Sequence, residues 1–164
     1  MEKFETRKID HSQNFEWFSL LAQKKAPFNQ ITDSKTEGCY SLAYQLYQQK
    51  EFEEALHFFK FLVQACPDSS KYWKGLGACL QMLKMYEEAL QCYSAAQLLN
   101  QLNPDLHLYL HAADCYFLLG DVKSGLKTLN KAFQDALKIK DKSVIHHIKL
   151  MKKQWSKKKI KDKN

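Results

Sequence analysis

The sequence predicts an all-α fold, and three observations support that prediction. The 164 residues include only 5 glycines and 3 prolines, which is too few for the closely spaced turns of a sandwich or a barrel. Hydrophobic residues make up 45% of the chain, and many recur at the helical spacings of three and four. The middle of the chain also repeats itself with the period of a helical hairpin.

The repeat is visible in two segments, KEFEEALHFFKFL at 50–62 and KMYEEALQCYSAA at 84–96, which align at an offset of 34 residues. That offset is the period of the tetratricopeptide repeat (TPR), in which a turn joins two helices. A third unit follows at an offset of 36, so the second connection is longer by two residues. We therefore predict a solenoid of three repeats, over residues 36–69, 70–103 and 106–137.

The sizes of the side chains within each unit agree with this interpretation. Small residues occupy positions 8 and 20 of all three units: Ala43, Ala55, Gly77, Ala89, Ala113 and Gly125. Small residues at these positions let the two helices of a unit approach closely. Large residues at most of positions 4, 7, 11 and 24 then fill the space between neighbouring units, while position 7 of the third unit is Ala112.

Both ends of a repeat array need a cover, and the sequence offers one at each end. Residues 1–35 are predicted to form a helical leader and connector, with the apolar stripe Phe15, Phe18, Leu21 and Ala22. This N-terminal helix either caps the array or contacts a second copy, so the stripe is a candidate dimerisation surface. Residues 138–164 are predicted to form a capping helix and a basic tail, with the stripe Val144, Ile148, Met151 and Trp155.

The charge is distributed unevenly along the chain. The formal net charge is +7, but residues 138–164 alone contain 11 lysines and 2 aspartates, so the rest of the chain is slightly acidic. A uniformly basic face for nucleic acid is therefore not predicted. The tail can still contact RNA, DNA or an anionic membrane, although a solubilising end of the capping helix is the interpretation we favour.

The sequence shows no pattern typical of a disulfide framework, a metal site or an enzyme. The five cysteines include no CxxC pair, and we expect them to be buried thiols of a reducing cytosol. His107 and His111 are four residues apart but have no third ligand. No signal peptide, membrane span, phosphate-binding loop or nucleophile motif is found, so we predict a cytoplasmic protein with no catalytic residues and no cofactor.

The first helices of stacked TPR units line the concave side of the array, and this side is the predicted peptide-binding groove. Three tyrosines at i, i+4 and i+7 point into it, and tyrosine offers a large apolar ring with a hydroxyl for a ligand backbone. The predicted groove residues are Tyr40, Tyr44, Tyr47, Lys74, Ala78, Gln81, Met82, Leu110, Asp114 and Phe117. We expect an extended, apolar segment as its ligand.

One widespread use of TPR grooves is a clamp of lysines and asparagines that grips an acidic C-terminus. The corresponding positions hold Tyr40, Tyr44, Gly75, His107 and His111, so the clamp is absent. The alternative that remains is a general TPR scaffold or co-chaperone adaptor, which assembles other proteins.

Three segments carry a resemblance to a known family: YSLAYQLYQQKEFEEALHFFKFL, KYWKGLGACLQMLKMYEEALQCYSAA and HAADCYFLLGDVKSGLKTLNKAF. With the helical leader and the capping helix, they resemble the class II chaperones of type III secretion, the low-calcium-response family. The resemblance covers about residues 10–155.

The resemblance implies a bacterial cytosolic chaperone that holds hydrophobic translocator proteins before their export. An extended segment near the translocator N-terminus would lie in the concave groove, where Tyr40, Tyr44 and Tyr47 match the family's groove aromatics. The family often dimerises through the N-terminal helix, which corresponds here to the region around Phe15–Ala22. No nucleic acid and no stable membrane insertion are implied.

Overall fold

The computed structural model describes residues 33–101 and 104–161. Within these ranges the chain forms seven helices and no strands, which confirms the predicted all-α class. The helices are α1 (Asp33–Gln48), α2 (Phe52–Ala65), α3 (Ser70–Met82), α4 (Tyr86–Leu99), α5 (Leu106–Leu118), α6 (Val122–Lys138) and α7 (Lys142–Lys161). The leader and its stripe, Phe15, Phe18, Leu21 and Ala22, lie outside the described residues.

The helices pack as three successive hairpins, α1–α2, α3–α4 and α5–α6, followed by the single helix α7. The second helix of each hairpin contacts the first helix of the next, as in a TPR stack. In addition, α1 contacts α3, and α3 contacts α5. The first helices therefore share one side of the array, which we call the inner groove.

Close approach within the hairpins explains the small residues of the repeat. Ala43, Ala55, Ala89 and Ala113 are completely buried. A Cβ atom on Gly77 would lie 2.8 Å from Cε1 of the Tyr93 ring, well inside van der Waals contact. Any larger residue at that position would force α3 away from α4, as the sequence pattern predicts.

The turn inside each hairpin places a residue with a positive φ angle at the same position of the unit. Position 15 of the three units is Lys50, Lys84 or Gly120, with φ of 67°, 63° and 84°. After α1, the Glu51 N–H donates to the Leu46 carbonyl and the Lys50 N–H donates to the Tyr47 carbonyl. This pair of bonds is the Schellman arrangement, which satisfies the last carbonyls of a helix.

The C-terminal helix α7 covers the last repeat. Val144, Ile148, Met151 and Trp155 are all buried, and they pack in one core cluster with residues of α5 and α6. The Asp141 carboxylate accepts hydrogen bonds from the N–H groups of Ser143 and Val144, so it starts the helix as an N-cap. The predicted capping helix is therefore confirmed. None of the described helices is long and apolar enough to cross a bilayer.

Candidate peptide-binding groove

The tyrosine row of α1 forms the most aromatic part of the inner groove. Tyr40 and Tyr44 stack with ring centroids 6.3 Å apart, and the half-buried Tyr40 also contacts Phe59 and Tyr72 at 6.1 and 5.7 Å. Tyr44 leaves 50% of its surface exposed. Tyr40 is thus anchored from behind by the core, while Tyr44 offers an open ring to a ligand.

Tyr47 lies one turn further along α1 and is held more firmly. Its ring packs edge to face against Phe52 of α2, with centroids 5.4 Å apart. Burial raises the pKa of its phenol, with smaller contributions from Cys79 and Tyr44. The Tyr47 side chain therefore stays neutral and presents only part of its ring.

A charged pair borders the tyrosine row. Lys71 of α3 forms an ion pair with Glu37 of α1, and its Nζ lies 4.8 Å from the centroid of the Tyr40 ring and 5.1 Å from that of Tyr72. The hydrogen bond to Glu37 is the main cause that raises the pKa of Lys71. The pair and the cation–π contacts link α1 to α3 and fix the edge of the groove.

A second ion pair links α3 to α5. Lys74 Nζ lies 2.5 Å from Asp105 Oδ2, and the other carboxylate oxygen accepts the His107 N–H at the start of α5. Burial acts to raise the pKa of Asp105, but the hydrogen bond from Lys74 and its charge outweigh burial and hold this pKa below its usual value. Asp105 is therefore both the N-cap of α5 and the partner of a groove lysine.

A polar network occupies the floor between α3 and α5. The Tyr93 hydroxyl donates to Gln81 Oε1 at 2.6 Å, and Gln81 Nε2 donates to Asp114 Oδ2 at 3.2 Å. The His111 imidazole stacks on the Tyr93 ring at 5.5 Å. The His111 side chain is partly open to solvent, but desolvation, followed by the charge of Lys74, lowers its pKa. Ala78 and the exposed Met82 complete the α3 side of the groove.

Two predicted groove residues lie in different surroundings. Leu110 is only 4% exposed and belongs to the core cluster around α7, so its placement on the open groove surface is corrected. Phe117 is half-buried and stacks on Trp155 of α7 with centroids 4.5 Å apart. The physical reason is that α7 contacts α5 as well as α6, so the capping helix covers this end of the array.

The ion pairs of the groove were not predicted from the sequence, although the repeat spacing indicates one of them. Glu37 and Lys71 both occupy position 2, in consecutive units, so they face each other across α1 and α3. Tyr72 and Phe59, which support Tyr40 from the core, were also missed. Ring contacts of this kind depend on the rotation of neighbouring helices, which a linear pattern does not specify.

The chemistry available in the groove is that of binding. Among the residues that the structure describes, no group of three or more histidine, cysteine or acidic side chains is arranged to hold a metal ion. The buried thiols of Cys79, Cys92 and Cys115 have their pKa raised to about 12 by burial, which suppresses the thiolate. The groove instead combines open aromatic surface with paired charges, which suits an extended apolar peptide.

Comparison with known proteins places these features in context. The tetratricopeptide repeat family model matches residues 36–64 and 70–100, which fall in the first two units. The chain is also similar to the low calcium response locus protein H of Yersinia pestis. The two are 30% identical over 135 residues, which cover 77% of this chain and 79% of that protein.

Two solved structures extend the similarity to three dimensions. PcrH of Pseudomonas aeruginosa, in complex with the chaperone binding region of PopD, has a TM-score of 0.71 and 27% identity, over 79% of this chain and 97% of PcrH. SycD of Yersinia enterocolitica, in complex with a peptide of the translocator YopD, has a TM-score of 0.61 and 28% identity, over 76% and 99% of the two chains. SycD has also been solved as an alternative dimer.

Proposed function

Because this chain belongs to the family of the low calcium response locus protein H, the class II chaperones of type III secretion, we propose that it binds hydrophobic translocator proteins through its inner groove. An extended segment of the translocator lies along α1, α3 and α5. Tyr40, Tyr44 and Tyr47 form the apolar part of the site. Lys74, Ala78, Gln81, Met82, Asp114 and the half-buried Phe117 continue it.

The observation that supports this proposal best is the exposure of Tyr44 beside a supported Tyr40. The stacked rings of Tyr40 and Tyr44, bordered by the ion pairs of Lys71 and Lys74, form an apolar surface with polar edges. Patches of this kind mark binding sites in soluble proteins. The paired charges of Lys71 and Lys74 leave little net charge to attract an acidic ligand.

The proposed mechanism is stoichiometric holding, which is a non-enzymatic role. A translocator carries apolar stretches that aggregate in water, and binding one segment lowers the concentration of the free, aggregation-prone form by mass action. Each buried apolar side chain of the segment contributes about 1.5–3 kcal/mol. After the cost of ordering the peptide, two or three such side chains give roughly micromolar affinity, so the client can still be released.

We propose a cellular location and a second partner for this protein. We place the chaperone in the bacterial cytoplasm, where the translocator must stay soluble before export. A second copy of the chain is a further partner, and the leader stripe Phe15, Phe18, Leu21 and Ala22 is the surface we propose for it. The alternative dimer of SycD supports this part of the proposal.

Substitution of the tyrosine row tests the proposal. The double variant Tyr40→Ala, Tyr44→Ala is expected to lose capture of the translocator from its own secretion gene cluster, measured as soluble client in a co-expression pull-down. Because Tyr40 also supports the core, the single variant Tyr44→Lys provides a second test that leaves the core contacts in place. It is expected to weaken capture at least tenfold, since it puts an unpaired charge in the groove.

The matched control is the double variant Leu137→Ala, Ile139→Ala, which removes two exposed apolar side chains at the end of α6. It is expected to retain full capture. Full capture by folded Tyr44→Lys and by the folded tyrosine double variant would move the client site elsewhere. Circular dichroism of each variant establishes that helix content is unchanged.

A further inference from the structure

A cavity separate from the inner groove lies between the second and third repeats. It has a volume of about 580 Å³ and is walled by α4, α5 and α6. Its α5 wall consists of Leu108, Tyr109, Ala112 and Tyr116, whereas the groove uses Asp114 and Phe117 of the same helix. The volume is within the range of ligand pockets, roughly 300–1,000 Å³. The cavity therefore opens on a different face of α5 from the groove.

The preceding repeat junction shows what normally fills this place. Position 4 of the second unit is Trp73, which is buried and donates its Nε1–H to the Pro67 carbonyl at 2.7 Å. Position 7 of that unit is the buried Leu76. The third unit has the smaller Tyr109 and Ala112 at the same two positions, and both line the cavity. The first junction is thus sealed by an indole and a leucine that the second junction lacks.

The connection between the units is also longer at the second junction than at the first. Four residues separate α2 from α3, and six separate α4 from α5, so the second junction has a longer link. Together with the loss of side-chain volume, the longer link explains the cavity at this junction.

One side chain of the cavity wall has a buried acceptor with no donor among the described residues. Gln97 of α4 lines it, and Gln97 Oε1 is buried without a hydrogen-bond partner in the part of the chain that the structure describes. The corresponding position of the first unit is the buried Val63, whose side chain needs no hydrogen-bond partner. A buried acceptor without a donor costs about 1–3 kcal/mol, so a donor in the cavity would recover this energy. The terminal amide rotates easily and can turn its oxygen to meet one.

We propose that this cavity is a second peptide-binding site, which takes a tryptophan side chain from an extended segment of a partner polypeptide. The indole stacks among the tyrosines of α5 and donates its Nε1–H to Gln97 Oε1. Tryptophan fits because it combines a large apolar ring with a single donor and no acceptor, which complements the tyrosine rings of the wall and the unpartnered Gln97 Oε1. It also restores at the second junction what Trp73 supplies at the first.

Two small probes test the hydrogen bond that defines this site. N-acetyl-tryptophanamide and N-acetyl-2-naphthylalaninamide have similar ring size, but only the first carries a ring N–H. We expect the tryptophan probe to bind the full chain about tenfold more tightly, which is the usual worth of a hydrogen bond to a buried acceptor. Binding is measured by amide shifts in ¹⁵N-labelled protein, which should centre on α4, α5 and α6 near Gln97 and Tyr109.

Two variants separate this site from any other binding surface. Gln97→Leu removes the acceptor and is expected to abolish the tenfold preference for the tryptophan probe. Ala112→Leu restores the leucine of the first junction and is expected to weaken both probes at least tenfold while the protein remains folded. The groove variant Tyr44→Lys is expected to leave both affinities unchanged, so failure here is distinguishable from failure of the groove proposal.

Equal affinities of the two probes for the wild-type chain would overturn the proposal. So would amide shifts centred on α1 and α3, or undiminished binding to folded Ala112→Leu. Thermal unfolding of each variant, recorded before the titrations, establishes that the cavity is lost by filling and not by unfolding.

Discussion

Phe117 and Trp155 stack face to face, with ring centroids 4.5 Å apart and ring planes within 1° of parallel. Trp155 also lies against Gly125, where an added Cβ atom would come within 3.3 Å of the indole ring. The indole therefore contacts both helices of the third repeat. The capping helix and the last repeat form one packed unit through this side chain.

Trp155→Ala is expected to lower the free energy of unfolding by about 3–5 kcal/mol, because it removes a large buried ring and leaves a cavity that α7 cannot close. Urea unfolding followed by circular dichroism measures the change. Trp155→Phe keeps the stack on Phe117 and is expected to lose less than half as much. A loss below about 1 kcal/mol for the alanine variant would contradict the role assigned to this contact.

Two glycines in helices give opposite predictions. A Cβ atom on Gly75 would fall 2.1 Å from Cε1 of Phe59, which is buried and supports Tyr40, whereas one on Gly38 would meet nothing within 4 Å. Gly75→Ala is therefore expected to destabilise by about 1–3 kcal/mol through overpacking. Gly38→Ala is expected to stabilise by about 0.5–1 kcal/mol through the lower entropy of the unfolded chain.

Each glycine variant is the control for the other, since the chemical change is identical. Urea midpoints that move in the same direction would contradict the steric explanation for Gly75. Gly75→Ala is also expected to weaken client capture, because displacement of Phe59 removes the support behind Tyr40.

The repeat itself was predictable because sequence spacing and three-dimensional spacing coincide in a solenoid. Each unit contacts its neighbours, so a 34-residue period predicts which side chains meet at every hairpin. The buried positions Ala43, Ala55 and Gly77 follow directly from that rule. The stripe of α7 was predictable for the same reason, as a helix with one apolar face.

Contacts between side chains that the 34-residue period does not relate were not predictable from the sequence. The stripe of α7 indicates that Trp155 is buried, but it does not say that the ring lies on Phe117 and closes that end of the groove. The burial of Leu110 has the same origin. The cavity near Gln97 depends on the volume missing at Ala112 and on a link two residues longer, so neither feature alone predicts it.

The ion pair between Lys74 and Asp105 predicts a pH dependence of stability. The pKa of Asp105 is below its usual value of 3.8 in the folded protein, so the folded state favours the carboxylate. The stabilisation is fully present above the unfolded-state pKa and is lost as the pH falls through the folded-state pKa. Because the pair is partly exposed, we expect it to contribute only about 0.2–1 kcal/mol.

Asp105→Asn isolates the charge, since asparagine caps a helix as well as aspartate does. The variant is expected to be less stable than the wild type at pH 7, and this difference should disappear as the pH falls below the unfolded-state pKa of aspartate, about 3.9. Asp68→Asn, at an exposed aspartate in the α2–α3 connection, is the matched control. A difference for Asp105→Asn that is constant with pH would exclude the ion pair as its source.

The five cysteines are expected to react in two classes. Cys79, Cys92 and Cys115 are buried, and burial raises the pKa of each to about 12, so both access and thiolate formation are suppressed. Cys39 and Cys66 are half-buried. A maleimide reagent at pH 7.5 should therefore label only Cys39 and Cys66 in the native protein within minutes, and all five cysteines in urea. Peptide mapping by mass spectrometry identifies the sites.

The three slow thiols should react at the rate of global unfolding, so Trp155→Ala is expected to accelerate them. Rapid native labelling of Cys92 would show that the junction between α3 and α4 opens locally, contrary to the close packing of Gly77 against Tyr93.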